Sequence, residues 1–145
     1  MQSLEKLKPL ALLALRVALG VIFIFHGKPK LFGQTANFMQ FFVKVGFPAW
    51  FVYVSGVLEF FGGCLLIAGL FTRVVGLLLA AEMAIAIWKV HMGGGIYAVK
   101  NYEFPLVVGT AALTLAAVGA GLISLDQILY RGGSKSGGKT KPDKK

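Results

Sequence analysis

Four apolar stretches alternate with polar segments along the chain, at about 9–27, 50–70, 74–91 and 104–123. Crossing the hydrocarbon of a bilayer takes about 20 residues, within about 17–25, and each stretch fits once its flanks are included. In lipid every backbone N–H and C=O must find an internal partner, so stretches of this length are predicted to be helices. Only Phe71, Thr72 and Arg73 separate the second from the third, which predicts an antiparallel hairpin with Gly69 as the C-terminal cap. After the third, Gly93, Gly94 and Gly95 predict a helix stop. The expected fold class is all-α: an integral-membrane four-helix bundle.

Between the first two spans, Phe38, Phe41, Phe42 and Val45 recur at helical spacing beside Gln40 and Lys44. That pattern predicts a short helix lying in the membrane interface. The Gly46-Phe47-Pro48 turn then opens the second span, with Trp50 and Tyr53 where interfacial aromatics belong. Gly56 and Gly63, and Gly62, Gly69 and Gly76, are spaced by seven residues, while Ala112, Ala116 and Ala120 are spaced by four. Such stripes let helix backbones approach closely in lipid.

Composition agrees with the pattern: 57% of the 145 residues are hydrophobic and 14% are charged, against about 25% in soluble domains. The net charge of +9 owes much to the end of the chain, RGGSKSGGKTKPDKK. Residues 131–145 are therefore expected to be a disordered basic tail near anionic lipid headgroups, and no nucleic-acid partner is implied. The apolar run after Lys6 and Lys8 lacks a small-residue cleavage site and is expected to stay as the first helix. Lys6, Lys8, Arg73, Arg131 and five tail lysines fall on one side, against Lys28, Lys30, Lys44, Lys100 and Lys89 on the other. The excess predicts both termini in the cytoplasm. The lone Cys64 excludes an intrachain disulfide and CxxC chemistry within the chain.

Ionisable residues within spans are costly and are functional candidates by default. They are Arg16, His26, Glu59, Glu82, Lys89, His91 and Glu103. From the rise per residue, Glu59 and Glu82 lie roughly 13 Å inside the membrane and Arg16 about 10 Å. Arg16 and Glu82 enter from the same face, so they are expected to form a structural ion pair, with Asp126 as the competing partner for Arg16. Glu59 has no evident cation at its depth and is expected to carry its proton at neutral pH. It could then donate to a quinone carbonyl, pass a proton, or bond a neighbouring helix's backbone.

His26, His91 and Glu103 lie near the outer boundary. Their readings are a polar pocket for a ligand headgroup, bis-His haem ligation, a metal site, or histidines that merely bond water or loop carbonyls. No HExxH or ExxH spacing favours the metal reading. No nucleotide-binding loop, activated nucleophile or cofactor motif is present, so no catalytic residue is assigned and catalysis by this chain alone is not expected.

The segments LRVALGVIFIFHGKPKLFG, GVLEFFGGCLLIAGLFTR, LLLAAEMAIAIWKVHMGGG and NYEFPLVVGTAALTLAAVGAGLISLD follow in that order. Over residues 15–126 the chain thereby resembles the DoxX family of small bacterial and archaeal membrane proteins. The resemblance implies a four-helix bundle in the cytoplasmic (inner) membrane that serves as a small subunit of a quinone-linked oxidoreductase. It implies Arg16, His26, Gly27, Glu59, Arg73, His91, Glu103 and Asp126 as family-type polar and turn positions. Pro29 departs from the family pattern after the His-Gly pair.

The leading expectation is thus a membrane subunit that anchors other subunits of a redox complex. Within it, His26, Glu59, His91 and Glu103 would handle a quinone and protons, with no covalently bound cofactor. A non-catalytic assembly subunit is the alternative. A transporter would show inverted repeats or broken spans, and none is evident.

Overall fold

The computed structural model of the protein describes residues 5–133. Its helices are α1 (Lys8–Leu31), α2 (Thr35–Lys44), α3 (Phe51–Ala68), α4 (Thr72–Ala86), α5 (Val99–Val118) and α6 (Leu125–Gly133). A π turn (Ile87–His91) and a 3-10 turn (Met92–Gly94) prolong α4, so that the four spans are Lys8–Leu31, Phe51–Ala68, Thr72–Gly94 and Val99–Val118. The described residues are all-helical, with the short α2 between the first two spans. The basic tail lies outside the described residues except for 131–133.

Glycine sets the closest helix contact. Gly20 and Gly27 of α1 run antiparallel to Gly63 and Gly56 of α3. A Cβ on Gly20 would come 2.6 Å from the Gly63 carbonyl oxygen, and one on Gly63 would come 2.6 Å from that of Gly20. On the opposite side of the bundle, a Cβ on Gly76 of α4 would lie 2.7 Å from the Ala112 carbonyl oxygen of α5. The core between these two pairs is Leu19, Phe23, Leu66, Val75, Leu79, Met83, Val108, Ala112 and Leu115.

The first and fourth spans differ from expectation. α1 continues through Pro29 to Leu31 instead of ending near residue 27. Proline costs a helix its N–H at that position, but the final turn is closed by Phe32 N–H to Lys28 O (2.8 Å) and Gln34 N–H to Pro29 O (3.2 Å). The fourth span is Val99–Val118 rather than 104–123. Its first turn is polar and escapes a hydropathy reading, and Gly119, at φ +90°, ends it early.

The end of the bundle that carries the α3–α4 turn is held by three charged residues. Gly69 caps α3 in the left-handed conformation, as the spacing predicts. Phe71 follows at φ +52°, a conformation unfavourable for a bulky residue. The Asp126 carboxylate fixes it, accepting from Phe71 N–H (2.8 Å) and Thr72 N–H (3.0 Å). A residue more than fifty positions away thus caps α4. Arg73 donates to Ala117 O (2.7 Å) and so closes the C-terminus of α5. Asp126→Ala is expected to lower stability by about 2 kcal/mol, the upper end for a lost helix cap. Asp126→Asn, which keeps one acceptor, should lose less, and thermal unfolding in detergent micelles checks both.

Arg16 belongs to this end, and its expected pairing with Glu82 is not formed. Arg16 is 1% exposed, and its guanidinium donates to Ile123 O at 2.6 Å and packs against Gly69. It therefore points toward the α3–α4 turn, whereas Glu82 stands ten residues up α4, roughly 15 Å along the axis. Asp126 makes no contact ion pair with Arg16; its carboxylate oxygens are taken by Phe71 N–H and Thr72 N–H.

Candidate functional site

At the other end of the bundle α1 brings Lys30 inward. His26 and Lys30 are four residues apart and share one helix face; extension of α1 past Pro29 keeps Lys30 on it. Ser55 and Glu59 are likewise four apart on α3, and Glu82 approaches from α4.

Lys30 Nζ lies 2.6 Å from Glu59 Oε2, a charge–charge contact between side chains 13% and 3% exposed. It also donates to Ser55 Oγ at 2.8 Å. Ser55 in turn donates to Glu82 Oε1 at 2.5 Å, while Glu82 Oε2 is buried without a partner. Glu59 therefore has a cation, contrary to the expectation that it stands alone. The sequence reading misplaced Lys30 in an outer loop because it stopped α1 too early. One carboxylate meets the ammonium directly and the other only through the Ser55 hydroxyl, and a buried charge is costly unless paired and hydrogen-bonded.

This cluster forms the floor of a cavity of about 320 Å³. Its walls are mainly aromatic and aliphatic, including Phe38, Phe41 and Phe42 of α2, Phe51 of α3 and Phe104 of α5. Phe47 stacks on Phe51 at 5.1 Å between centroids, and the Phe42 ring lies 5.9 Å from Lys30 Nζ, within cation–π range. The short α2 thus covers the cluster with carbon.

His26 and His91 both line the cavity. The His26 ring stacks on Phe104, centroids 5.3 Å apart, and its Nδ1 lies 2.8 Å from Ile22 O. His91 sits in the π turn, with Nδ1 3.0 Å from Ala86 O. Of the four residues expected to form a ligand pocket, the structure brings His26, Glu59 and His91 together. Glu103 is exposed and does not line the cavity, although its neighbour Phe104 does. Glu82, expected in an ion pair elsewhere, joins the cavity instead, and Lys30 and Ser55 were missed. Lys89 lies over the Trp88 ring at 4.5 Å and does not line the cavity. Among the described residues no three His, Cys, Asp or Glu side chains converge as metal ligands.

The molecule is therefore a four-span membrane protein whose helices enclose a buried lysine–carboxylate cluster beneath an aromatic cavity. A family model described as DoxX matches residues 11–92, more than half of the chain; the protein belongs to the DoxX family. It is 35% identical over 120 residues to CatD of Bacillus subtilis (strain 168), whose name assigns it provisionally to the oxidoreductases. That alignment covers 83% of this chain and 87% of CatD. It is 34% identical to a Haemophilus influenzae protein named only as uncharacterized, over 90% of this chain and 99% of that one. Similarity extends to the inner membrane protein YqjF of Escherichia coli, 27% identical over 88% of this chain and 98% of YqjF. No solved structure matches the chain.

Proposed function

We propose that this protein is a small integral-membrane subunit of a quinone-linked oxidoreductase complex, and that its aromatic cavity receives the quinone ring. The observation that carries the reading is one cavity uniting carbon walls, a buried Lys30–Glu59–Ser55–Glu82 cluster and two histidines. Its volume of about 320 Å³ lies at the small end of ligand sites, roughly 300–1,000 Å³, suited to a ring whose tail extends into lipid. The name of CatD points in the same direction. The carboxylates and histidines would hold and exchange the ring's protons, and the exposed Glu103 would stand on the approach. Electrons would come from a redox subunit that this chain anchors in the inner membrane. Both termini would be cytoplasmic, with the basic tail against anionic lipid.

Purification from the native membrane in mild detergent tests this. The expected result is a stoichiometric redox subunit, found by mass spectrometry, with quinone extractable from the complex. Isolation of the chain alone and free of quinone would sink the proposal.

A non-catalytic packing role is the second reading, favoured by the Lys30–Glu59 contact that ties α1 to α3. The two readings part at Glu59→Gln. If Glu59 handles protons, quinone-dependent turnover per assembled complex is expected to fall at least tenfold, within the range for loss of a positioned acid or base. If it only packs helices, the yield of complex falls and turnover per complex is unchanged.

A further inference from the structure

We infer that the cavity favours the reduced, dihydroxy form of its aromatic ligand over the oxidised, diketo form. This rests on the cavity being a quinone site and adds which redox form it selects. A carbonyl oxygen only accepts hydrogen bonds, so the ring nitrogen facing it must carry the hydrogen. Nδ1 faces Ile22 O in His26 and Ala86 O in His91. In each neutral imidazole Nε2 is then left as an acceptor only.

Two different backbone arrangements impose the same tautomer. His26 reaches the carbonyl four residues back in a regular helix. His91 reaches five residues back, in the π turn. Both histidines line the same cavity, and neither Nε2 has a hydrogen-bond partner among the described residues.

The floor adds more acceptors than donors. Glu82 Oε2 is buried without a partner. The Ser55 hydroxyl hydrogen is already given to Glu82. Lys30 gives one ammonium hydrogen to Ser55 and meets Glu59 in a charge contact, in which Glu59 Oε2 accepts no hydrogen bond. The surrounding wall of Phe38, Phe41, Phe42 and Phe104 offers carbon.

A ring hydroxyl brings a donor that these acceptors lack. A ring carbonyl brings one more acceptor and leaves them unpaired, and sites built for a ligand hydroxyl reject analogues without it strongly. The chemistry is that of a diphenol. It would fit a prenylated quinol entering from the bilayer or a small soluble dihydroxybenzene.

The test is anaerobic titration calorimetry of the full chain in lipid nanodiscs, with decylubiquinol and decylubiquinone in parallel. The quinol is expected to bind at least about tenfold tighter, which raises the potential of the bound two-electron couple by about 30 mV or more. Equal or tighter binding of the quinone overturns the inference while leaving the quinone site standing. Binding of neither overturns the site itself, and the inference with it. The His26→Phe/His91→Phe variant should reduce the preference to below about threefold, since both acceptor nitrogens are gone. A preference undiminished in a folded variant removes the histidines as its cause, and the comparison on the unsubstituted protein stands whether or not the variant folds. Catechol and hydroquinone, which lack a tail, identify the source: binding equal to decylubiquinol indicates a soluble diphenol, and binding only with the tail indicates a membrane quinol.

Discussion

Lys30→Met is expected to destabilise the protein by roughly 3–5 kcal/mol, the cost of breaking a buried ion pair from one side. Methionine matches the aliphatic stem, so the loss isolates the charge. Glu59, 3% exposed, would be left with no cation, facing either a buried charge or the cost of protonation, and Ser55 would lose the ammonium that donates to it. Were Lys30 the loop residue its place after Pro29 suggests, its pairing would be worth only about 0–1 kcal/mol, as at a surface. Adding Glu59→Gln to Lys30→Met removes the orphaned charge and is expected to restore more than half of the loss. Thermal unfolding in micelles of the two single variants and the double completes the cycle. A Lys30→Met protein within about 1 kcal/mol of the original would mean that the cluster is hydrated and the ion pair superficial.

That prediction concerns a residue the sequence alone assigns to the wrong place, and the reason is physical. Span count, the tight α3–α4 hairpin, the Gly69 cap and the glycine stripes are legible because a bilayer imposes one strict rule, internal satisfaction of the backbone. That rule leaves a signal about twenty residues long. Side-chain partners obey no such rule. The first span reads as ending near residue 27, but α1 runs on through Pro29 and sets Lys30 beneath Phe42. Its last turn is closed by Phe32 N–H to Lys28 O and Gln34 N–H to Pro29 O. Arg16 and Glu82 share a nominal depth, but a long arginine side chain displaces its charge from its Cα, here toward Gly69 and Ile123. His26, Glu59 and His91 are recognisable as costly residues in the membrane. Their convergence depends on helix rotation, which hydropathy does not encode. The four-residue spacings His26–Lys30 and Ser55–Glu59 are the signals that would have found the cluster, given a longer α1.

Gly27→Ala is expected to damage both fold and site, and Gly20→Ala the fold alone. Both glycines lie on the α1–α3 contact, seven residues apart, and both meet backbone. A Cβ on Gly27 would come 2.5 Å from Phe60 N and 2.8 Å from Gly56 O; one on Gly20 would come 2.6 Å from Gly63 O. Backbone cannot rotate away as a side chain can, so the helices must part. Overpacking of this kind costs about 1–3 kcal/mol, occasionally more, and the upper figure is expected for each because the obstacle is backbone. The difference lies in what sits beside them. The Gly27 Cβ would also lie 3.0 Å from Glu59 Cβ, at the level where Glu59 meets Lys30 across 2.6 Å. A displacement of a few tenths of an ångström there opens the ion pair and the cavity floor. Gly20 acts almost two helical turns away, beside Ile67 and Gly63. Gly93, with nothing within 4 Å of its added Cβ, provides the control and should tolerate alanine within about 0.5 kcal/mol. Unfolding temperature and quinol affinity, measured on the same nanodisc samples, separate the effects. Gly27→Ala should lower both, Gly20→Ala chiefly the first, Gly93→Ala neither. Equal loss of affinity in Gly20→Ala and Gly27→Ala would show that the cavity senses the whole helix pair rather than the local Lys30–Glu59 contact.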